Sequence, residues 1–366
     1  MSSSEVIPRE LDDFLGRHAE TLDADGSLAA TVVPLLGSSG LLRRGVPAAF
    51  GGDGATVNDA VHSIAAVAQR SLAAAFVFWG QRVFIEYLLH SPNTTLRDRW
   101  LPGLLAGRTA GATGLSNAMK FLSGIEALQI RATGALPAGD RTDGRVMNGS
   151  VPWATNLRRE GFVVAVAVAG VGDASPFIAA LPSDRVGLSR SDDLDLIALR
   201  GTNTASLMLR GLPFDDGDVI ADDARNWLPQ VRPAFLGLQC GLALGLARAA
   251  LAAARERGAN LRPVLGPAID SIGRELQDTT AALTAGLADE RFVADAPALF
   301  RLRIRLAEAT QQAVQHELMA SGGRAYHRDQ PLGFARRWRE AAFIPIVTPS
   351  LTQLQGELLK RAAAAR

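Results

Sequence analysis

Apolar residues recur at helical spacing through the first part of the chain. Leu11 to Leu22, Leu28 to Gly37, Val57 to Tyr87 and Leu96 to Leu105 each carry such a face. Asn58, Ser91 and Asn93 stand near the starts of these runs, where short polar side chains cap exposed N–H groups. The stretch VPAAFGGDGA, Val46 to Ala55, interrupts the pattern with glycines suited to positive φ. From about Ala112 to Ile220 the period changes. GFVVAVAVAG, SPFIAALP and TASLMLRGLPF are short, rich in Val, Ile and Leu, and bounded by Gly, Pro or Asp, which predicts strands. No regular alternation with helices accompanies them, so a doubly wound parallel sheet is disfavoured. Helical patterning returns over Pro233 to Arg257, Gly266 to Leu287, Ala298 to Ala320 and Leu351 to Ala365.

The pattern predicts a mainly α protein with a β domain. A helical domain (1–111) is followed by a small antiparallel β-barrel or sandwich (112–221) and a helical bundle (222–366). The small residues of FLGLQCGLALGLARAALAAA suit close helix contact, and the KRAAAAR tail is expected to fray. No internal repeat is found.

Composition narrows the class. Hydrophobic residues make up 48% and the formal charge is +1, so no basic excess points to nucleic acid or a membrane surface. The single cysteine, Cys240, excludes an internal disulfide and reads as a buried thiol in an apolar helix. No basic n-region with an apolar h-region opens the chain, and apolar runs are broken by Arg or Gly before about 18 residues. A cytoplasmic protein without a membrane span is expected. Neither GxGxxG after a strand, GxxxxGK[ST] nor GxSxG occurs, and His18, His62, His90, His316 and His327 show no metal-ligand spacing. An organic cofactor held by scattered polar groups remains open.

Six stretches, in order, carry a family resemblance: GLLRRGVPAAFGGDGA, RWLPGLLAGRTAGATGLS, GRVMNGSVPWATN, LRGTNTASLMLRGLPF, LRPVLGPAI and GGRAYHRDQP. Each alone is weakly specific, but together they resemble the acyl-CoA dehydrogenase family along nearly the whole chain. The resemblance implies helices, a small β domain and helices, with FAD as cofactor. It assigns Trp153, Ala154 and Thr155 to the face of the flavin ring and Ser116 to its edge. It assigns Arg262 to a cofactor phosphate and Gly322 and Gly323 to close backbone approach, both across a subunit contact. A homodimer or homotetramer is therefore implied, acting on a small molecule such as an acyl-CoA, with a flavin reductase or electron-transfer partner.

The sequence also departs from the family. Ser116 to Gly124 lacks the Pro and the Gly before Ser of the phosphate loop, although Ser123 is retained and Lys120 adds charge. FMN therefore stands open beside FAD. The family's proton-abstracting carboxylate falls on Ile346 in one register and Thr348 in the other, and no acid lies between Glu340 and Glu357. The alternative base position, beside an Arg-Pro step resembling Arg232-Pro233, holds Val231, with no acid between Asp223 and Glu256. Arg232 is expected to orient substrate or to support the flavin pocket. Three readings follow: dehydrogenation with a displaced base, oxygenation by reduced flavin and O2 assisted by His316 or His327, or a degenerate flavin-binding or scaffold subunit.

Overall fold

The computed structural model describes residues 7–122, 124–134, 144–172, 174–327, 330 and 332–364. Its first helices are α1 (Arg9–Ala24), α2 (Ala29–Ser38), α3 (Val57–Arg70), α4 (Leu72–Leu89) and α5 (Thr94–Leu105). The single helical run expected over Val57 to Tyr87 is two helices. Ser71 is extended, its hydroxyl accepts from the Ala74 N–H at 3.3 Å, and the chain restarts as α4.

Helix α4 is apolar around its circumference and buried on every side, as a core helix must be. Its charges cancel internally. Arg82 donates to Glu86 at 2.6 Å and to the carbonyls of Arg44 and Gly45 at 3.0 and 2.7 Å. By length and composition α4 and the later helix α7 (Ala224–Arg257) are each sufficient to cross a membrane, contrary to the expectation from uninterrupted runs. Their apolar windows are 94% and 89% buried inside the protein, so core burial explains their composition.

Strands β1 (Ala110–Thr113), β2 (Ile130–Thr133), β3 (Val146–Ala154) and β4 (Phe162–Ala169) follow, with a short helix α6 (Ser116–Leu122) after β1. The sheet is completed by β5 (Phe177–Pro182), β6 (Leu188–Arg190), β7 (Ala205–Pro213) and β8 (Val219–Ala221). Its order is β6-β7-β3-β2-β4-β5-β8, with β1 paired to β4. The expected barrel or sandwich is an open sheet, and it is not wholly antiparallel. Both β1 and β2 run parallel to β4, at Ala110–Phe162 through Thr113–Ala165 and at Ile130–Val168 and Arg131–Ala169. Strand β4 is buried along nearly its whole length, which accounts for its unbroken Val/Ala run.

Helices α8 (Arg262–Ala288), α9 (Arg291–Ala294), α10 (Ala296–Ser321), α11 (Phe334–Phe343) and α12 (Leu351–Ala364) complete the C-terminal bundle around α7. Helix α7 begins nine residues before Pro233, runs through Pro229 and Pro233, and is capped by Asp223, which accepts from Arg225 and Asn226 N–H. The small residues act as expected. A Cβ on Gly245 would lie 2.1 Å from the Ala65 carbonyl of α3, so these helices approach backbone to backbone.

Gln81 ties the first helical layer to the sheet. Its amide donates to the carbonyls of Leu104 and Thr109, while its oxygen accepts from Gly111 N–H at 2.6 Å and Asn156 Nδ2 at 2.9 Å. Asn156 also donates to the Gly111 carbonyl at 2.8 Å. Strand β1 is thus pinned between α4 and the end of β3, and its Thr113 lines a cavity.

Candidate functional site

A cavity of about 280 Å³ opens where the end of β1, α6 and β3 meet α4, α7 and the segment after α11. Ser116, Trp153, Ala154 and Thr155 all line it, as do Ile346 and Thr348. The two registers considered for the missing base therefore both fall on the wall of one cavity.

The geometry of β3 explains how Trp153 comes to face open space. The pairing of β3 with β7 slips between Val151 and Ala154, leaving Pro152 and Trp153 in an irregularity. Such a bulge turns a side chain out of the regular pleat. The Trp153 indole is 42% exposed, although neighbouring Ala154 and Thr155 are buried. The Thr155 hydroxyl is engaged internally: it donates to the Thr202 carbonyl and accepts from Thr204, each at 3.2 Å. Thr155 thus anchors the strand end, while the Ser116 side chain stands half-buried at the cavity edge.

The loop expected between Ser116 and Gly124 begins as helix α6. Asn117 closes it onto the next strand, accepting from Gln129 N–H at 2.8 Å and donating to Glu126 and the Ala127 carbonyl, each at 2.9 Å. Lys120 reaches Glu126 at 3.3 Å. Lys120 and Glu126 are thus paired on the cavity wall, and Glu126 supplies the carboxylate among its described lining. Ser123 lies outside the described residues.

The acid-free wall is held from behind by buried polar groups. Arg303 is fully buried and donates from Nη2 to the Ile344 carbonyl at 2.8 Å and from Nε to Gln239 Oε1 at 2.9 Å. Gln239 passes the contact on, donating to the Thr348 carbonyl at 3.0 Å. Among the described residues no carboxylate pairs with Arg303, and burial lowers its guanidinium below the usual arginine range. Glu340, the acid nearest in sequence, is committed elsewhere. Burial pushes its carboxyl above the usual range, Arg336 Nη1 donates to both its oxygens at 2.8 Å, and Leu72 N–H donates at 3.0 Å.

Other expected site residues lie apart from this cavity. Val231 is completely buried. Arg232 sits over the Phe300 ring at 5.6 Å with its Nε buried and without a hydrogen-bond partner, and burial lowers its pKa ahead of the repulsion from Arg361. Phe235, one turn along α7, is the residue that reaches the cavity. Arg262 is exposed at the start of α8, beside Gly266 and Asp270 in a separate cleft. Gly322 and Gly323 are exposed, and a Cβ built on either meets no atom within 4 Å. His316 bonds the Gln312 carbonyl on its own helix, and His327 is exposed on another segment. Cys240 is buried, its thiol pushed up to about 12 by burial, as expected of a structural cysteine. Among the described residues no cluster of His, Cys, Asp or Glu has the arrangement of a metal site.

The sequence reading missed the cavity's aromatic lining. Phe76 and Trp79 on α4, Phe235 on α7 and Phe343 on α11 contribute to it. Their helical spacing read as ordinary core, and nothing local distinguishes the two roles.

Comparison with known proteins agrees with this fold. Residues 5–108 match the family "Acyl-CoA dehydrogenase, N-terminal domain". The chain is 25% identical over 272 residues to the probable acyl-CoA dehydrogenase YngJ of Bacillus subtilis (strain 168), covering 69% of this chain and 68% of that protein. Among solved structures, KijD3 in complex with FMN and a dTDP-linked amino-keto sugar superposes with a TM-score of 0.79 at 20% identity, over 98% of this chain and 92% of that one. A glutaryl-coenzyme A dehydrogenase complex superposes at 0.78 and 16% identity, over 100% and 97%. The dibenzothiophene monooxygenase TdsC from Paenibacillus sp. A11-2 superposes at 0.73 and 18% identity, over 94% and 93%.

Proposed function

We propose that this chain, acyl-CoA dehydrogenase-like in fold and in its N-terminal domain, is a flavin-dependent oxidoreductase that oxygenates its substrate using reduced flavin and O2. The observation that carries the reading is the cavity wall at Ile346 to Thr348. It presents an alkyl side chain and a neutral hydroxyl where α-proton abstraction requires a carboxylate. The carboxylate elsewhere in the lining, Glu126, is held by Lys120 and Asn117.

The cavity suits a planar ring: an exposed indole on an irregular strand end shares the lining with a serine hydroxyl and with apolar and aromatic side chains. Trp153 and Ala154 would pack along a flavin, Ser116 would donate at its edge, and Thr155 would fix the strand that carries them. When bound, the flavin supplies electron transfer and activation of O2. The aromatic wall would exclude water from the face it covers. FAD and FMN both remain within the proposal; KijD3 offers a relative in fold whose complex contains FMN.

On the family resemblance, the proposed assembly is a homodimer or homotetramer in which Arg262, Gly322 and Gly323, which lie outside this cavity's lining, reach the neighbouring subunit's cofactor. Arg232 is proposed to support the α7 wall beside Phe235 rather than touch substrate directly. A flavin reductase is the proposed electron source, and the cytoplasm the proposed location.

Acyl-thioester dehydrogenation is the second reading, favoured by the N-terminal family match and the similarity to YngJ. It requires an acid from a position the family does not ordinarily use. Anaerobic mixing of oxidised flavin-loaded protein with an acyl-CoA panel separates the two. The flavin is expected to keep its oxidised spectrum with every thioester; bleaching would establish dehydrogenation instead. A chain that takes up neither FAD nor FMN would overturn both.

A further inference from the structure

The helical side of the cavity is built from four aromatic rings locked to one another. Phe76 and Trp79 stack with centroids 5.3 Å apart and planes within 5°. Phe343 meets Phe76 edge-on at 4.8 Å and 69°, and Phe235 meets Trp79 edge-on at 5.2 Å and 70°. These are the offset and perpendicular arrangements that aromatic quadrupoles favour. The Trp79 indole N–H is used internally, donating to the Phe235 carbonyl at 3.3 Å. Phe76, Trp79 and Phe235 are each at most 5% exposed, so the rings are packed in place.

This arrangement has two consequences for an occupant. First, the edge contact between Trp79 and Phe235 joins α4 to α7 within the cavity lining. An extended aliphatic chain would have to separate rings that already satisfy one another. Second, the rings present carbon faces and edges without a free hydrogen-bonding group, and Val347 beside them is apolar. A charged or strongly hydrated group would lose solvation there without compensation.

We infer that the substrate is a compact, uncharged, ring-bearing molecule, and that Phe76, Trp79, Phe235 and Phe343 select it against extended acyl chains. The inference rests on the proposed reading of this cavity as the place of reaction, but its binding consequence can be tested without turnover.

Protein with and without bound FMN or FAD is titrated with quinoline, 2-naphthol, butyryl-CoA and octanoyl-CoA, binding being followed calorimetrically. The wild type is expected to bind at least one bicyclic probe at least tenfold more tightly than octanoyl-CoA. Phe343→Ala, at the half-buried ring, is expected to weaken that binding about tenfold. It should also improve octanoyl-CoA binding relative to wild type. Phe343→Leu, which keeps much of the apolar volume, provides the same comparison if the alanine variant does not fold. Tighter binding of octanoyl-CoA than of both bicyclic probes in the wild type would overturn the inference, as would unchanged selectivity in a folded Phe343 variant. Failure of flavin uptake alone strikes the proposed function; the flavin-free titration then reads the aromatic wall through the Phe343 variants, because the space beside Trp153 also accepts a bicyclic ring when flavin is absent.

Discussion

The side-chain amide of Gln239 donates to the backbone carbonyl of Thr348 at 3.0 Å, joining the middle of α7 to the cavity wall. Its oxygen simultaneously accepts from Arg303 at 2.9 Å. One buried amide therefore fixes both a cation and the acid-free segment around Thr348. Gln239→Leu leaves the Thr348 carbonyl and the Arg303 Nε without their partners. A loss of about 1–3 kcal/mol is expected for each group left unsatisfied. Urea unfolding measures the total, and hydrogen exchange should show faster opening at residues 344–348. An unchanged midpoint and unchanged exchange would refute the bracing role.

Trp153 should affect cofactor binding more than folding. Its indole is 42% exposed on the slipped end of β3, so Trp153→Ala is expected to change stability by no more than about 0.5 kcal/mol. Loss of ring stacking should weaken flavin binding about tenfold. Fluorescence titration with FAD and FMN reads the affinity, and thermal unfolding of the flavin-free protein reads the stability.

Two glycines should respond in opposite directions to alanine. A Cβ on Gly245 would press on the Ala65 carbonyl at 2.1 Å, within a tightly packed helix pair. Gly245→Ala is expected to cost about 1–3 kcal/mol by forcing the helices apart. Gly16 lies exposed inside α1 with no atom within 4 Å of its ideal Cβ. Gly16→Ala should stabilise by about 0.5–1 kcal/mol through restriction of the unfolded chain. Paired denaturation curves test both signs.

The start of α3 carries a pH-dependent contribution. Asp59 accepts from the Thr56 hydroxyl at 2.7 Å and from its N–H at 2.9 Å, and the hydroxyl followed by the N–H holds its carboxyl below the usual range. A depressed folded pKa means that the unfolded state binds the proton more readily. Stabilisation is therefore present above the unfolded value of about 3.9 and is lost as pH falls through the lower folded value. The stability difference between wild type and Asp59→Asn should be level from neutral pH to about 4 and shrink below it. Isothermal denaturation across this acid range is the measurement; a difference independent of pH would remove Asp59 from the explanation.

Local chemistry revealed much of the molecule. Helical spacing marked the main runs, and six ordered motifs brought Ser116, Trp153, Ala154 and Thr155 to one cavity with Ile346 and Thr348. Long-range pairing was less visible. Strand β1 is four small residues, Ala-Gly-Ala-Thr, all buried, so no alternation announced its parallel contact with β4. The aromatic floor escaped for a related reason: Phe76, Trp79, Phe235 and Phe343 occupy helices whose apolar patterns serve core and cavity alike. Arg262, Gly322 and Gly323 lie outside the lining of this cavity in the single chain. Arg303 carried no motif, and its importance emerged only from the carbonyls that its folded position brings together.

The Gln81 junction makes the unit of melting larger than the unit suggested by composition. One amide holds the end of α5, the start of β1 and the turn after β3. Opening β1 would free Gly111 while also disturbing the partners of Gln81 and Asn156. The N-terminal helices and the sheet should therefore lose structure in the same cooperative transition, despite the change from helical to strand patterning between them.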